Sequence, residues 1–272
     1  MGKSNNFPLR SYGVITSNKC KNKLEHNSEE LKINGFTILD SSFTANQIKN
    51  LRLKVNELRQ IYRKKFQKFS LEKISEQHIL RLPFLFDIYF MKVIFDNNLI
   101  QLLKNVILGD FQLSQCNVVI NPVDENYSQG SWHRDLPYQH FVSSRPLSVN
   151  ALLCLDDFTT ENGATSVIPF THQFEKYPSN EFISKNAIQV EAKAGQFIVM
   201  NSMLFHGGSK NLSNKERIGI NHVFSIPHIK QQIKIKGNLP EKDLTEFEKK
   251  VLGIKYFEPS TIEEFFLERM KK

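Results

Sequence analysis

The chain has 272 residues, of which 40% are hydrophobic, enough to bury one large core, and 22 are phenylalanines. Its formal net charge is +8, which reads either as a solvated Lys-rich surface or as a preference for a small anionic ligand, and the lack of a basic stripe interleaved with aromatics argues against a nucleic-acid partner. Cys20, Cys116 and Cys154 form neither a CxxC pair nor a disulfide framework, and no apolar signal segment opens the chain. The early apolar run LPFLFDIYFMKVIF is broken by Asp87 and Lys92, so a cytoplasmic protein without a membrane span is expected.

Residues 1–27 are polar and without a period, and read as an arm. In EELKINGFTILDSSF, Gly35 ends a short helix, and Phe36 and Ile38 belong to a strand. Thr44 is placed to cap a long helix, in which Ile48, Leu51, Val55, Leu58 and either Ile61 or Tyr62 fall on one face. The pattern from His78 to Leu108 reads as two helical pieces, broken near Pro83 and closed by Gly109 as C-cap. His78 and Arg81 in this segment read as structural.

After Gly109 the period shortens. FQLSQCNVVINP, GSWHRD, SVNALLCLDDF, TSVIP, AIQVEAKA, QFIVMN and RIGINHVFSIP are strand-like runs separated by turn clusters such as TTENGA. Runs so spaced predict a sandwich or barrel, so the fold class expected is mainly β with flanking helices. From Pro227 the chain is Lys-rich, with two short helices expected to pack back on the barrel, the last capped by Ser260 or Thr261. A single domain over 1–272 is expected: arm (1–27), helical scaffold (28–110), barrel core (111–227) and C-terminal helical extension (228–272).

The chemistry concentrates between Gln129 and Ile226. His133 and Asp135 are two apart, and on a strand such residues face the same side. His206 follows the buried-looking run QFIVMNSMLF and precedes two glycines, which puts a third ligand at a strand end. Two imidazoles and one carboxylate on one face of an octahedron leave three positions open, the arrangement of oxygen-activating iron(II) enzymes. Arg217 opens the apolar strand RIGINHVF; a guanidinium there needs a partner, and a dicarboxylate co-substrate offers a two-pronged one.

The runs HRDLPY, LDDFTTENGATSVIPFTH, FHGGSKNLSNKERIGI and, near the start, NGFTILDSSFT resemble the phytanoyl-CoA dioxygenase (PhyH) family of iron(II)- and 2-oxoglutarate-dependent oxygenases, over about residues 28–227. The resemblance implies a double-stranded β-helix, a jelly-roll barrel of the cupin kind. It also implies Fe(II), 2-oxoglutarate and O2 as cofactor and co-substrates, with His133, Asp135 and His206 as iron ligands. Arg217 matches the arginine that holds the far carboxylate of 2-oxoglutarate. Hydroxylation of a small-molecule substrate, with release of succinate and carbon dioxide, is the default reaction.

The chain departs from the family pattern at Phe170, at Gln196 and at Gly208, where a serine often stands. The last change bears on the second contact to the far carboxylate. Because Asp135 is present, a halogenating variant is disfavoured. Asn150, as an inward polar residue in SVNALLCL, is a candidate for co-substrate or substrate contact, as is Asn117, which with Asn121 alternates with Val118 and Ile120 in CNVVIN and is expected to point inward. His172 resembles a family histidine near the co-substrate. Trp132 and Tyr138 flank the first ligands, while His222, out of phase with Arg217, and Asp156 and Asp157 read as structural. Two rivals stand beside this reading: a cupin-like metalloenzyme of another reaction class, with no use for Arg217, and a non-catalytic barrel that binds 2-oxoglutarate or another small molecule.

Overall fold

The structure is a computed structural model that describes residues 8, 10–123, 127–136, 141–256 and 258–270. The first helix, α1 (Lys23–Asn34), starts where the Asn22 side chain accepts from Glu25 N, so residues 23–27, read from sequence as arm, open it instead. It stops at Gly35, whose left-handed φ of 86° lets its N–H donate to Leu31 O. Strand β1 (Phe36–Asp40) follows. Helix α2 (Ala45–Lys65) begins on a reciprocal cap between Thr44 and Gln47 and ends with Arg63, Lys64 and Lys65 at its negative pole. Its buried stripe is Ile48, Leu51, Val55, Leu58 and Tyr62, and of the two candidates for the last place Ile61 is the exposed one.

The segment after His78 differs from the two helices expected. Ile79–Arg81 is a short strand, β2, paired with the longer strand β3 (Gln112–Asn121). Leu82 then turns left-handed (φ 46°) ahead of Pro83, so no helix can run through. Two single 3-10 turns lead into α3 (Met91–Ile94) and α4 (Asn97–Ile107), the latter capped by Asp96. The left-handed residue that closes α4 is Leu108 (φ 55°), one position before the expected Gly109.

The remaining strands are β4 (Ser148–Cys154), β5 (Thr165–Val167), β6 (Ile188–Val190), β7 (Gln196–Asn201), β8 (His206–Gly207) and β9 (Arg217–Ser225), with helix α5 (Asn180–Asn186) before β6. They form a six-stranded sheet, β1-β7-β4-β9-β3-β2, and a three-stranded sheet, β6-β5-β8; each strand pair is antiparallel. The large sheet is buried on both faces, which is why its central strands read as continuous apolar runs. Val149, Ala151 and Leu153 of β4, Phe197 and Val199 of β7, and Ile218, Ile220 and Phe224 of β9 pack with α2 and α4. The alternate residues Leu152, Cys154, Ile198 and Met200 pack with Val167 and Val190 of the small sheet. The second set is the barrel interior, and Arg217 and Asn221 share the opposite parity to Ile218 and Ile220 on β9.

Beyond β9 lie α6 (Glu246–Val251), capped by Thr245, and α7 (Ile262–Met270). Val251, Leu252 and Ile254 join the main core. Helix α7, expected to pack back as well, buries none of its residues, and Thr261 rather than Ser260 accepts from Glu264 N at its start. Among the described residues no helix is long and apolar enough to cross a membrane.

His222 sits on the helix-facing side of β9, fully buried, with Nδ1 3.2 Å from Ala151 O. Burial pulls its imidazole down from the ordinary 6.5 to about 4. The unfolded chain therefore binds this proton first, and the stability His222 confers is full above pH ~6.5 and lost as the pH falls towards ~4. Between pH 7.5 and 5 the loss from this one residue is about 2 kcal/mol. Denaturant titrations at both pH values should show His222→Gln losing less stability on acidification than the parent; equal losses would remove His222 from the account.

Candidate metal centre

His133 does not lie in a regular strand. The expected strand GSWHRD is reduced to one antiparallel bridge, His133 to His206. In it His133 N donates to His206 O at 2.9 Å and His206 N donates to His133 O at 3.0 Å. One step along, Asp135 N donates to Ser202 O at 3.0 Å. These bonds tie the first two candidate ligands to the loop and strand that carry the third, and bring the two imidazole centroids to 4.4 Å. On its other side β8 pairs with β5, Val167 opposite His206, which fixes His206 to the small sheet.

Each imidazole is oriented through its Nδ1, which lies 2.7 Å from Ser131 O in His133 and 3.0 Å from Leu204 O in His206. A carbonyl only accepts, so the proton is on Nδ1 and the Nε2 lone pair is free. Asn150 Nδ2 donates to Asp135 Oδ2 at 2.5 Å, and that oxygen is 3.7 Å from His206 Nε2. One donor atom from each of the three side chains lies within 4.8 Å of the others. Bonds of about 2.1 Å to one ion set neighbouring ligand atoms about 3 Å apart, so small side-chain rotations close the set on a cation. Burial lowers the His206 pKa against the pull of Asp135, keeping the ring neutral and able to ligate. A second cluster, Cys20, His26 and Glu29, has Cys20 and His26 exposed and its thiol and carboxylate hydrogen-bonded to each other.

The three ligand candidates line a small cavity of about 60 Å³, and Arg217 lines it too. Arg217 is 3% exposed. Its Nε donates to Asn162 O at 3.2 Å and its guanidinium carbon stacks 3.9 Å above the Phe158 ring. No carboxylate pairs with it among the described residues, and burial lowers its pKa below the ordinary arginine value. The cavity thus sets a buried guanidinium, paired with no carboxylate among the described residues, beside the three candidate metal donors. It also contains two buried side-chain oxygens without partners, Asn150 Oδ1 and Asn221 Oδ1.

The model of the family described as phytanoyl-CoA dioxygenase matches residues 31–219. The chain belongs to the phytanoyl-CoA dioxygenase family. An uncharacterized protein of Mycobacterium tuberculosis is 32% identical to it over 171 residues, 61% of this chain and 62% of that protein. Dioxygenase olcK of Penicillium canescens is 36% identical over 120 residues, 41% of this chain and 38% of its own length. The chain therefore spans less than two thirds of the length of these relatives. Among solved structures, EctD from S. alaskensis with bound Fe matches with a TM-score of 0.61 at 16% identity, covering 76% of this chain and 79% of that one. At that identity the likeness establishes the fold: the two sheets form the jelly-roll barrel of the family, with helices outside.

Against the family pattern, the other expected residues divide. Asn150 reaches the cavity, but through the Asp135 carboxylate. Asn117, expected near the co-substrate, is not among the cavity's lining residues; its amide faces Arg81 and Cys116 O instead. It lies beyond Val119 on the same face of β3, too far along the strand to line the hollow. His172 is likewise elsewhere: its Nε2 is 3.0 Å from Lys32 O at the end of α1. A Cβ on Gly35 would stand 2.5 Å from its Nδ1. His172 therefore latches α1 to the turn after β5 and is not among the residues that line the hollow.

Asn121 holds the Ser209 carbonyl at 2.9 Å, and Asp156 accepts from Arg52 and from Ile218 N. Trp132 does not line the cavity, and Tyr138 lies outside the described residues. The residues that sequence reasoning missed are Tyr127, Gln129, Thr165 and Asn221. Only Asn221 had a signal, the same strand parity as Arg217.

Asn150 donates to the carboxylate of the proposed ligand set, so Asn150→Ala should weaken binding of Mn(II), measured by anaerobic calorimetry, by roughly 10- to 100-fold. Asn117→Ala should leave it unchanged. Equal affinity in Asn150→Ala and the parent would show that the Asp135 carboxylate needs no such support.

Proposed function

We propose that the protein is an iron(II)- and 2-oxoglutarate-dependent dioxygenase that oxidises a C–H bond of a small metabolite, hydroxylation being the default outcome. The observation that carries this reading is Arg217: a buried guanidinium that no carboxylate pairs with among the described residues, in the same hollow as His133, Asp135 and His206. A metal barrel of another reaction class leaves that charge unexplained. Charge balance points the same way. A divalent cation with Arg217 and the Asp135 carboxylate leaves a double positive charge in one hollow, and a dicarboxylate neutralises it.

In this reading His133, Asp135 and His206 hold Fe(II), and the bound metal supplies oxygen activation coupled to conversion of 2-oxoglutarate into succinate and carbon dioxide. The protein's own part is orientation. The Nδ1–H bonds to Ser131 O and Leu204 O aim both imidazoles. Asn150 holds one carboxylate oxygen of Asp135. Arg217, set by Asn162 O and the Phe158 face, binds the far carboxylate of 2-oxoglutarate through its two terminal nitrogens. Val119, Leu152 and Met200 supply apolar wall between those two ends and keep water out. The net charge of +8 favours an anionic metabolite as the substrate.

Succinate formed from 2-oxoglutarate with added Fe(II), in the presence and absence of oxygen, tests the reading. The parent protein should form it only with oxygen. Arg217→Ala should raise the 2-oxoglutarate concentration needed by roughly 100-fold, the loss of two charge-assisted hydrogen bonds, with Fe(II) affinity unchanged. Oxygen-independent turnover, or an Arg217→Ala protein as active as the parent at low 2-oxoglutarate, would contradict it.

A further inference from the structure

One aromatic in the cavity has no part in the reading above. Tyr127 lines the hollow together with Arg217 and Gly208. It opens a tight turn in which Gly130 N donates to Tyr127 O at 2.8 Å, and Gly208 N then donates to Gln129 O at 2.7 Å. These bonds pin the turn to the chain just after His206. The tyrosine ring occupies the space that a side chain at 208 would take: a Cβ there would stand 2.5 Å from Tyr127 Cε1 and 2.8 Å from Cδ1. The ring of Tyr127 in this place thus requires a glycine at 208. Desolvation raises the phenol's pKa, partly offset by the positive charge of Arg217, so the hydroxyl is a neutral donor near neutral pH.

We propose that Tyr127 is a second binding residue for the far carboxylate of 2-oxoglutarate, its hydroxyl donating to the group that Arg217 grips. This deepens the function proposed above and rests on it. A carboxylate offers about four lone-pair sites and the guanidinium fork takes two, so a third donor from the side has a place to bind. The arrangement makes the site selective for 2-oxo acids with a second carboxylate. It also gives position 208 a reason to be glycine: the donor comes from the facing turn.

The test uses the full chain loaded with Mn(II) without oxygen, and calorimetry with two probes: 2-oxoglutarate and 2-oxovalerate, which has the same carbon chain without the far carboxylate. Tyr127→Phe should weaken 2-oxoglutarate by roughly 10-fold, the loss of one hydrogen bond to a charged group. It should leave Mn(II) and 2-oxovalerate affinities within about two-fold of the parent. Adding Gly208→Ser to Tyr127→Ala, which places a hydroxyl where the ring was, should recover part of the preference for 2-oxoglutarate that Tyr127→Ala alone loses. An unchanged 2-oxoglutarate affinity in Tyr127→Phe, or equal weakening of both probes, overturns the role of Tyr127 while the function stands. A parent protein that binds Mn(II) but not 2-oxoglutarate overturns both.

Discussion

Two backbone hydrogen bonds between His133 and His206 hold the site together. The chain separates these residues by the whole of β4 to β7, and no local preference can place them side by side. The barrel does so by bringing the segment around His133 against the short strand β8. Close approach there needs small residues. A Cβ on Gly207 would stand 2.9 Å from Ser131 O, which accounts for a glycine directly after the histidine. The ligand geometry is therefore a product of backbone pairing. The side chains are then aimed by the carbonyls of Ser131 and Leu204, each two residues from the histidine it orients.

The second constraint is electrostatic. Arg217 lies on the inward face of β9, where neighbouring strands contribute Leu152 and Met200. A guanidinium in such a place is held by one carbonyl and one aromatic face, which is less than its five donors can use. The deficit suits the hollow to the anion that the proposed function requires. The same barrel wall that desolvates Arg217 desolvates His206 and lowers its pKa, so one packing arrangement serves both the proposed anion site and the proposed metal donors.

Much of this was legible in the sequence, where the signal was periodic. The stripe on α2 and its Thr44 cap, the change to short strands after Gly109, and the opposite parity of Arg217 and His222 on β9 all follow from spacing. What was not legible depends on partners remote in the chain. Ile79–Arg81 lies in a segment read as helical but pairs with β3, and Leu82 takes a left-handed turn before Pro83 that its residue type does not announce. Asn117 looked inward by pattern and His172 resembled a family histidine, yet Arg81 and the end of α1 hold them. Tyr127 sits in an irregular turn without a period, and only the empty side of Gly208 reveals it.

The most direct measurement of the central claim is an anomalous difference map from crystals soaked with Fe(II) and 2-oxoglutarate in the absence of oxygen. The account predicts one iron peak bonded by His133 Nε2, His206 Nε2 and an Asp135 oxygen on one face, with the far carboxylate of 2-oxoglutarate on Arg217. Iron bound elsewhere, or 2-oxoglutarate lying away from Arg217 with that guanidinium still unpaired, would contradict it.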